Sequence, residues 1–272
     1  MARQRLGSWE TALPAFLRAA ELDPRSATAT RRVAITLLHL RRYTEAESAA
    51  DRGLALAPTN LNLIETRAMV ALGRGDLAGA RAVVRAALET VVPAALFAFL
   101  ATYEDLYWVL DDSQQEQLLA LPPSAFDDDR GYWSLVRFET YHLRGNSAEA
   151  RAYADSARRT FEEQLKVTPN DDQRHVLLGL ALAHLGRKAE AISEGKRAVQ
   201  LLPISQDAYA GAYTQHQLAR IYLLVGEPEK ALDQLEPLLK MPYYLSPGWL
   251  RIDPNFAPLR GNPRFERLVA GK

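Results

Sequence analysis

The sequence predicts an all-α fold of stacked helix pairs, and three observations carry that expectation. "EAESAADRGLALAP" at 45–58 superposes on "TALPAFLRAAELDP" at 11–24 with a shift of 34 residues, and "EAISEGKRAVQLLP" at 190–203 falls in the same frame. At matching offsets stand small residues, Ala12, Ala46 and Ala191, then Ala19, Gly53 and Ala198, which let two helices approach closely. Pro24, Pro58 and Pro203 then mark where the second helix of each pair must stop.

The elements follow in order. Residues 9–22 read as the second helix of a leading repeat (1–26) whose first helix is missing. In 27–60, Val33-Ala34 with Leu37 start a pair that turns near Arg41; in 61–93, Ala68, Ala71 and Gly75 repeat the pattern. Residues 94–130 are degenerate: "ALFAFLATYEDLYWVL" and "SQQEQLLAL" predict a helix pair without the small-residue signature. Phe138, Tyr141 and Gly145 place a pair in 131–168, and Leu178-Gly179, Leu182 and Gly186 another in 172–205. In 206–242, Leu218-Ala219, Tyr222 and Gly226 keep the frame, and the six-residue insertion "QDAYAG" is expected to lengthen the first helix.

The segment 246–272 is different. In "DPNF" and "NPRF", Asp253 and Asn262 are placed as helix N-caps, with Pro254 and Pro263 at first helical positions where a missing N–H costs little. Phe256 with Leu259, then Phe265 with Leu268 and Val269, give each short helix one apolar face. These faces are expected to cap the last repeat.

The recurring frame resembles the tetratricopeptide repeat. That resemblance implies a right-handed superhelix divided into N-terminal repeats (1–93), a degenerate pair (94–130), C-terminal repeats (131–245) and a capping segment (246–272). The ending also resembles the C-terminal regions of bacterial multidomain signalling proteins of the Ser/Thr kinase, adenylate cyclase or winged-helix type. Leu250, Asp253-Pro254, Phe256, Pro258-Leu259-Arg260, Pro263-Arg264-Phe265 and Leu268 carry it. It implies a regulatory or sensor region of a signalling system; the alternative is a structural accessory subunit of a larger, membrane-associated assembly. Either reading accounts for the bare N-terminal end, which is expected to be covered by another domain or chain.

Chemistry is sparse. Thirty-three basic and 33 acidic residues cancel, so no global field steers the chain to nucleic acid or anionic membrane. Residues 93–130 are nonetheless acidic, a patch read as a solvated loop. With no cysteine, disulfides and thiolate sites are excluded, which fits a cytoplasmic protein. The longest apolar run, 91–103, is too short to span a bilayer. His39, His142, His175, His184 and His216 show no metal-binding spacing. Neither a phosphate loop nor a nucleophile elbow appears. Asp127–Asp129 read as a linker whose last residue caps the next helix, and "GRGD" at 73–76 as a tight turn. The expectation is a non-catalytic protein without cofactor or metal, whose partner is a protein or peptide.

In such arrays the first helices line a concave face. Here they offer Arg31, Ile35 and Leu38, then Glu65 and Met69, then Leu135, Glu139 and His142, and finally Tyr213, His216 and Arg220. An apolar groove dotted with Arg, His and Tyr suits an amphipathic helix or extended hydrophobic segment. Tyr103, Tyr107 and Trp108 of the degenerate segment form a second candidate surface.

Overall fold

Five helix pairs are closed by the same turn. In the computed structural model, which describes residues 7–270, Arg41, Gly75, Gly145, Gly186 and Gly226 all take positive φ. The N–H of the next residue then reaches back to a carbonyl five positions earlier, as from Asp76 to Ala71 (2.9 Å) and from Glu227 to Tyr222 (2.8 Å). This is the Schellman geometry that glycine adopts without steric cost.

The turns connect α2 (Ala27–His39) to α3 (Tyr43–Leu56), and α4 (Leu61–Gly73) to α5 (Leu77–Ala87). Further along they connect α8 (Arg130–Leu143) to α9 (Ser147–Val167), α10 (Asp172–His184) to α11 (Lys188–Leu201), and α12 (Ala210–Leu224) to α13 (Pro228–Lys240). α1 (Trp9–Leu22) precedes them, and α6 (Pro93–Tyr103) and α7 (Asp112–Ala120) lie between α5 and α8. No strand occurs among the described residues, and no helix there is long and apolar enough to cross a membrane.

The small residues do what their recurrence implies. Ala46, Ala50, Ala191 and Ala198 are fully buried. A Cβ built on Gly179 would stand 2.7 Å from Ile221, and one on Gly195 would stand 2.8 Å from Ile221 and from Leu218. The Ile221 and Leu218 side chains thus pack into the space these glycines leave, and an alanine there would make them shift. α1, α3 and α11 end at Leu22, Leu56 and Leu201, ahead of the three marker prolines.

Two stretches depart from expectation. The helix anticipated over "ALFAFLATYEDLYWVL" breaks after Tyr103, because Asp105 takes φ 55° before a 3₁₀ turn at Leu106–Val109. Aspartate tolerates this left-handed backbone better than most residues, and the break turns its carboxylate inward. The insertion "QDAYAG" does not lengthen the first helix by six residues. Most of it forms a loop in which Asp207 accepts bonds from Tyr209 and Ala210 N–H (2.9 and 3.0 Å), and α12 has 15 residues against 13 in α10.

The C-terminal segment comprises α14 (Pro247–Ile252), a 3₁₀ turn (Pro254–Leu259) and α15 (Pro263–Val269). Asp253 and Asn262 cap as anticipated, accepting from the N–H of Asn255 and of Arg264, both at 2.8 Å. α15 lies on α13, where Arg264 pairs with Glu229, Asp233 and Glu236. The preceding stretch does more than cap. It enters the concave side, where Ser246 Oγ donates to the Gly73 carbonyl (2.6 Å) and Trp108 meets Trp249 edge to face at 6.2 Å. Its Tyr243, Tyr244, Trp249, Leu250 and Phe256 join one core with α2 to α6, α12 and α13; α8 to α11 hold a second.

The N-terminal end is partly covered by the chain itself. Trp9 of α1 stacks on His39 at 4.0 Å and meets Tyr209, from the loop before α12, at 6.2 Å. Leu17 and Leu22 remain 41% and 69% exposed. The expected absence of a first helix in the leading repeat falls on residues 1–6, which lie outside the described residues.

Candidate interaction site

α12 places Tyr213, Gln217 and Arg220 on one inward face, at helical spacings of four and three. Arg220 is buried and stays charged. Burial opposes its charge, but Glu139, Tyr107 and Asp105 outweigh that and hold its pKa above the usual value. Its guanidinium donates to Asp105 (3.2 Å), Gln217 Oε1 (2.8 Å), Tyr107 Oη (3.3 Å), Glu139 Oε1 (2.5 Å) and Asn255 Oδ1 (3.2 Å). Gln217 Nε2 and Tyr213 Oη also donate to Asp105, at 2.6 and 3.3 Å. The helix break at Asp105, the first helix of one pair and the C-terminal segment thus converge on one cation. Breaking such a buried pair leaves an uncompensated charge, which fixes the parts relative to each other.

This network occupies the groove in which a partner was expected to lie. Leu38, Met69, Leu135, His216 and Arg220 are buried, as are Glu65 and Glu139, while Arg31, Ile35 and Tyr213 are half-buried. Only His142 of that set is exposed. His216 lies among Tyr243, Tyr244 and Phe256 of the C-terminal segment, stacked on Phe256 at 5.7 Å. In the second set, Tyr107 and Trp108 are core residues, whereas Tyr103 is 57% exposed. The groove is filled because the apolar spacing in 246–272 serves burial inside the array as well as at its end.

Among the clefts that stay open is one of 550 Å³ between α6, α10 and the region of α12. Tyr103 and Glu104 border it from the end of α6, Asp172 and Gln173 from the start of α10, and Tyr209 and Tyr213 from the region of α12. Tyr209 Oη donates to Glu104 Oε1 at 3.1 Å. Burial and then the neighbouring Asp105 push the Glu104 carboxyl up to about 8, and burial followed by Glu104 raises Glu65. The cleft is thus rich in carboxyl groups and tyrosine faces. Sequence reasoning found Tyr103 and Tyr213 but missed Tyr209 and Asp172, which come from segments far apart in the chain. The acidic bias of 93–130 was the one signal pointing there.

Two sequence models of the tetratricopeptide repeat match, one over residues 1–60 and 141–209, the other over 66–86 and 212–237. No curated protein matches the chain. Among solved structures, YrrB, described as a TPR protein with an unusual peptide-binding site, is 19% identical over 84% of this chain and 93% of its own, with TM-score 0.33. A tetratricopeptide repeat protein from Parabacteroides merdae is 15% identical over 87% and 88%, with TM-score 0.47. TTC0263, a thermophilic TPR protein from Thermus thermophilus, is 20% identical over 79% and 91%, with TM-score 0.38. With two repeat models recurring along the chain and helix pairs closed by one shared turn, the chain belongs to the tetratricopeptide repeat proteins.

Proposed function

We propose that the protein is a non-catalytic interaction scaffold, working in the cytoplasm, that captures a polypeptide at the cleft bordered by Tyr103 and Tyr209. One observation carries this reading: the groove is filled by the chain's own C-terminal segment, while the cleft remains open and presents exposed aromatic faces beside carboxyl groups. Aromatic residues are over-represented among binding anchors, and the carboxyl groups of Glu104 and Asp172 offer hydrogen-bonding partners to a segment laid across them. The test is affinity capture from native lysate by the wild-type chain and by a Tyr103→Ala/Asp172→Lys variant. A partner reduced at least tenfold in the variant, with thermal stability unchanged, supports the cleft. A partner retained equally by both would remove it.

The resemblance of the C-terminal segment supports a regulatory or sensor role in a bacterial signalling system. Exposed Leu17 and Leu22 on α1 favour the second reading, an accessory subunit docked through that end. A subunit co-purifies in fixed stoichiometry, whereas a sensor region exchanges its partner.

A further inference from the structure

A separate cavity of 240 Å³ lies at the other end of α10 from the cleft, where His184 replaces Asp172 as the bordering residue. At about 1.5 Å per residue the two sites are separated by about 18 Å along that helix. Glu139, Arg220, Tyr107 and Asn255 line it with polar atoms, Phe138 and His184 with ring faces, and exposed Leu224 and His142 border it.

Glu139 is 3% exposed. Its Oε1 accepts from Arg220, but its Oε2 has no hydrogen-bond partner in the protein. A buried acceptor left in this way is costly unless a donor from outside the chain reaches it. Arg220 already donates to five neighbours, so it has little left to offer an anion. His142 and His184 lie 4.3 Å apart, ring to ring. Burial lowers both, His184 to about 3, so neither adds positive charge at neutral pH. Asp105 and Asp253 add further negative charge nearby.

We propose that this cavity binds a primary ammonium group on a short aliphatic stem, with Glu139 Oε2 as its acceptor. Leu143 and Leu223 give the stem an apolar wall, and Phe138 adds an aromatic ring to the lining. The volume lies below the roughly 300–1,000 Å³ of pockets for drug-sized ligands and suits a single side chain. Among the described residues no group of three His, Cys, Asp or Glu side chains is set to hold a metal ion. This site goes beyond the scaffold reading and does not depend on it.

The test uses the full chain and follows the ring Cε1–H signals of His142 and His184 by NMR. The probes are N-acetyl-lysine-N′-methylamide, butylammonium and N-acetyl-norleucine-N′-methylamide. Saturable shifts with an ammonium probe and none with the norleucine derivative are expected. Tighter binding of the lysine derivative assigns the site to a polypeptide side chain, and tighter binding of butylammonium to a free amine. Glu139 faces Arg220 of α12, Asp105 and Tyr107 after α6, Asp253 of the C-terminal segment, His184 of α10 and His142 of its own helix. Its carboxyl is pushed up to about 7, chiefly by burial. Ammonium binding needs it ionised, so affinity should fall about tenfold from pH 8 to pH 6. Glu139→Gln should weaken binding at least tenfold. Should that variant not fold, the comparison of lysine and norleucine on the unaltered chain decides. Equal shifts with both derivatives, no shift with either ammonium probe at millimolar concentration, or a response to zinc ion alone would overturn the proposal.

Discussion

Replacing Arg220 with methionine removes one cation from among three carboxylates while preserving most of the side-chain volume. The guanidinium gives up donors to Asp105, Gln217, Tyr107, Glu139 and Asn255. Breaking a buried ion pair on one side costs about 3–5 kcal/mol. At about 2–4 °C per kcal/mol for a chain of this size, the melting temperature should fall by about 6–20 °C. The loss should also depend on pH. Burial already raises Asp105 and Glu139, and without Arg220 both rise further. A carboxyl whose folded pKa is raised stabilises the fold below its unfolded pKa and ceases to as pH rises through the folded value. The variant's deficit should therefore be smaller at pH 4.5 than at pH 8. Adding Asp105→Asn and Glu139→Gln to Arg220→Met should recover part of the loss, because no unpaired charge is then left between those partners. Thermal melts followed by circular dichroism at both pH values provide the assay. A single variant within 1 °C of wild type at pH 8 would refute the view that the network holds the array and its C-terminal segment together.

Three further outcomes are expected. Gly248→Ala would put a Cβ 2.8 Å from Gly75 N and 2.9 Å from Arg74 C, backbone that cannot rotate aside, so it should destabilise by about 1–3 kcal/mol in chemical denaturation. Stability of the wild type should be greatest between about pH 4.5 and 6.5, because two groups slope in opposite directions across that window. Burial lowers His39 from 6.5 to about 3, so its contribution is present above 6.5 and lost as pH falls. Burial raises Glu139 from 4.5 to about 7, so its contribution is present below 4.5 and lost as pH rises. A melting temperature that climbs steadily to pH 8 would contradict this. Truncation at Pro247 removes Trp249, Leu250, Phe256, Leu259, Phe265 and Val269, all buried. At about 1.5–3 kcal/mol each, that is comparable with the roughly 5–15 kcal/mol stability of a whole domain. Aggregation or loss of a cooperative transition should follow, visible by light scattering and melting.

The repeat architecture was legible because it is local. The offsets of Ala46, Gly53 and Pro58 recur in 11–24 and 190–203, and the turn glycines need only their own helix ends. The same reasoning identified Asp253 and Asn262 as caps, which depend on neighbours two residues away. The filled groove was not legible. Phe256 and Leu259 share an apolar face whether they cover the end of an array or enter its interior, and only the tertiary placement of Ser246 on Gly73 distinguishes the two. Asp105 was missed for a related reason. Its sequence continues a helical pattern, and what favours the break is a guanidinium 115 residues away.

Segment 243–256 is expected to belong permanently to the core and to keep the groove closed. Native-state amide hydrogen exchange tests it most directly, at the Leu250 and Asp253 N–H groups, which donate to Ser246 and Trp249 carbonyls at 3.0 Å. Both should exchange as slowly as the most protected amides of α12, through global unfolding alone. Exchange at the rate of exposed turns would contradict the claim, showing that the segment lifts away and that the groove itself opens to a partner.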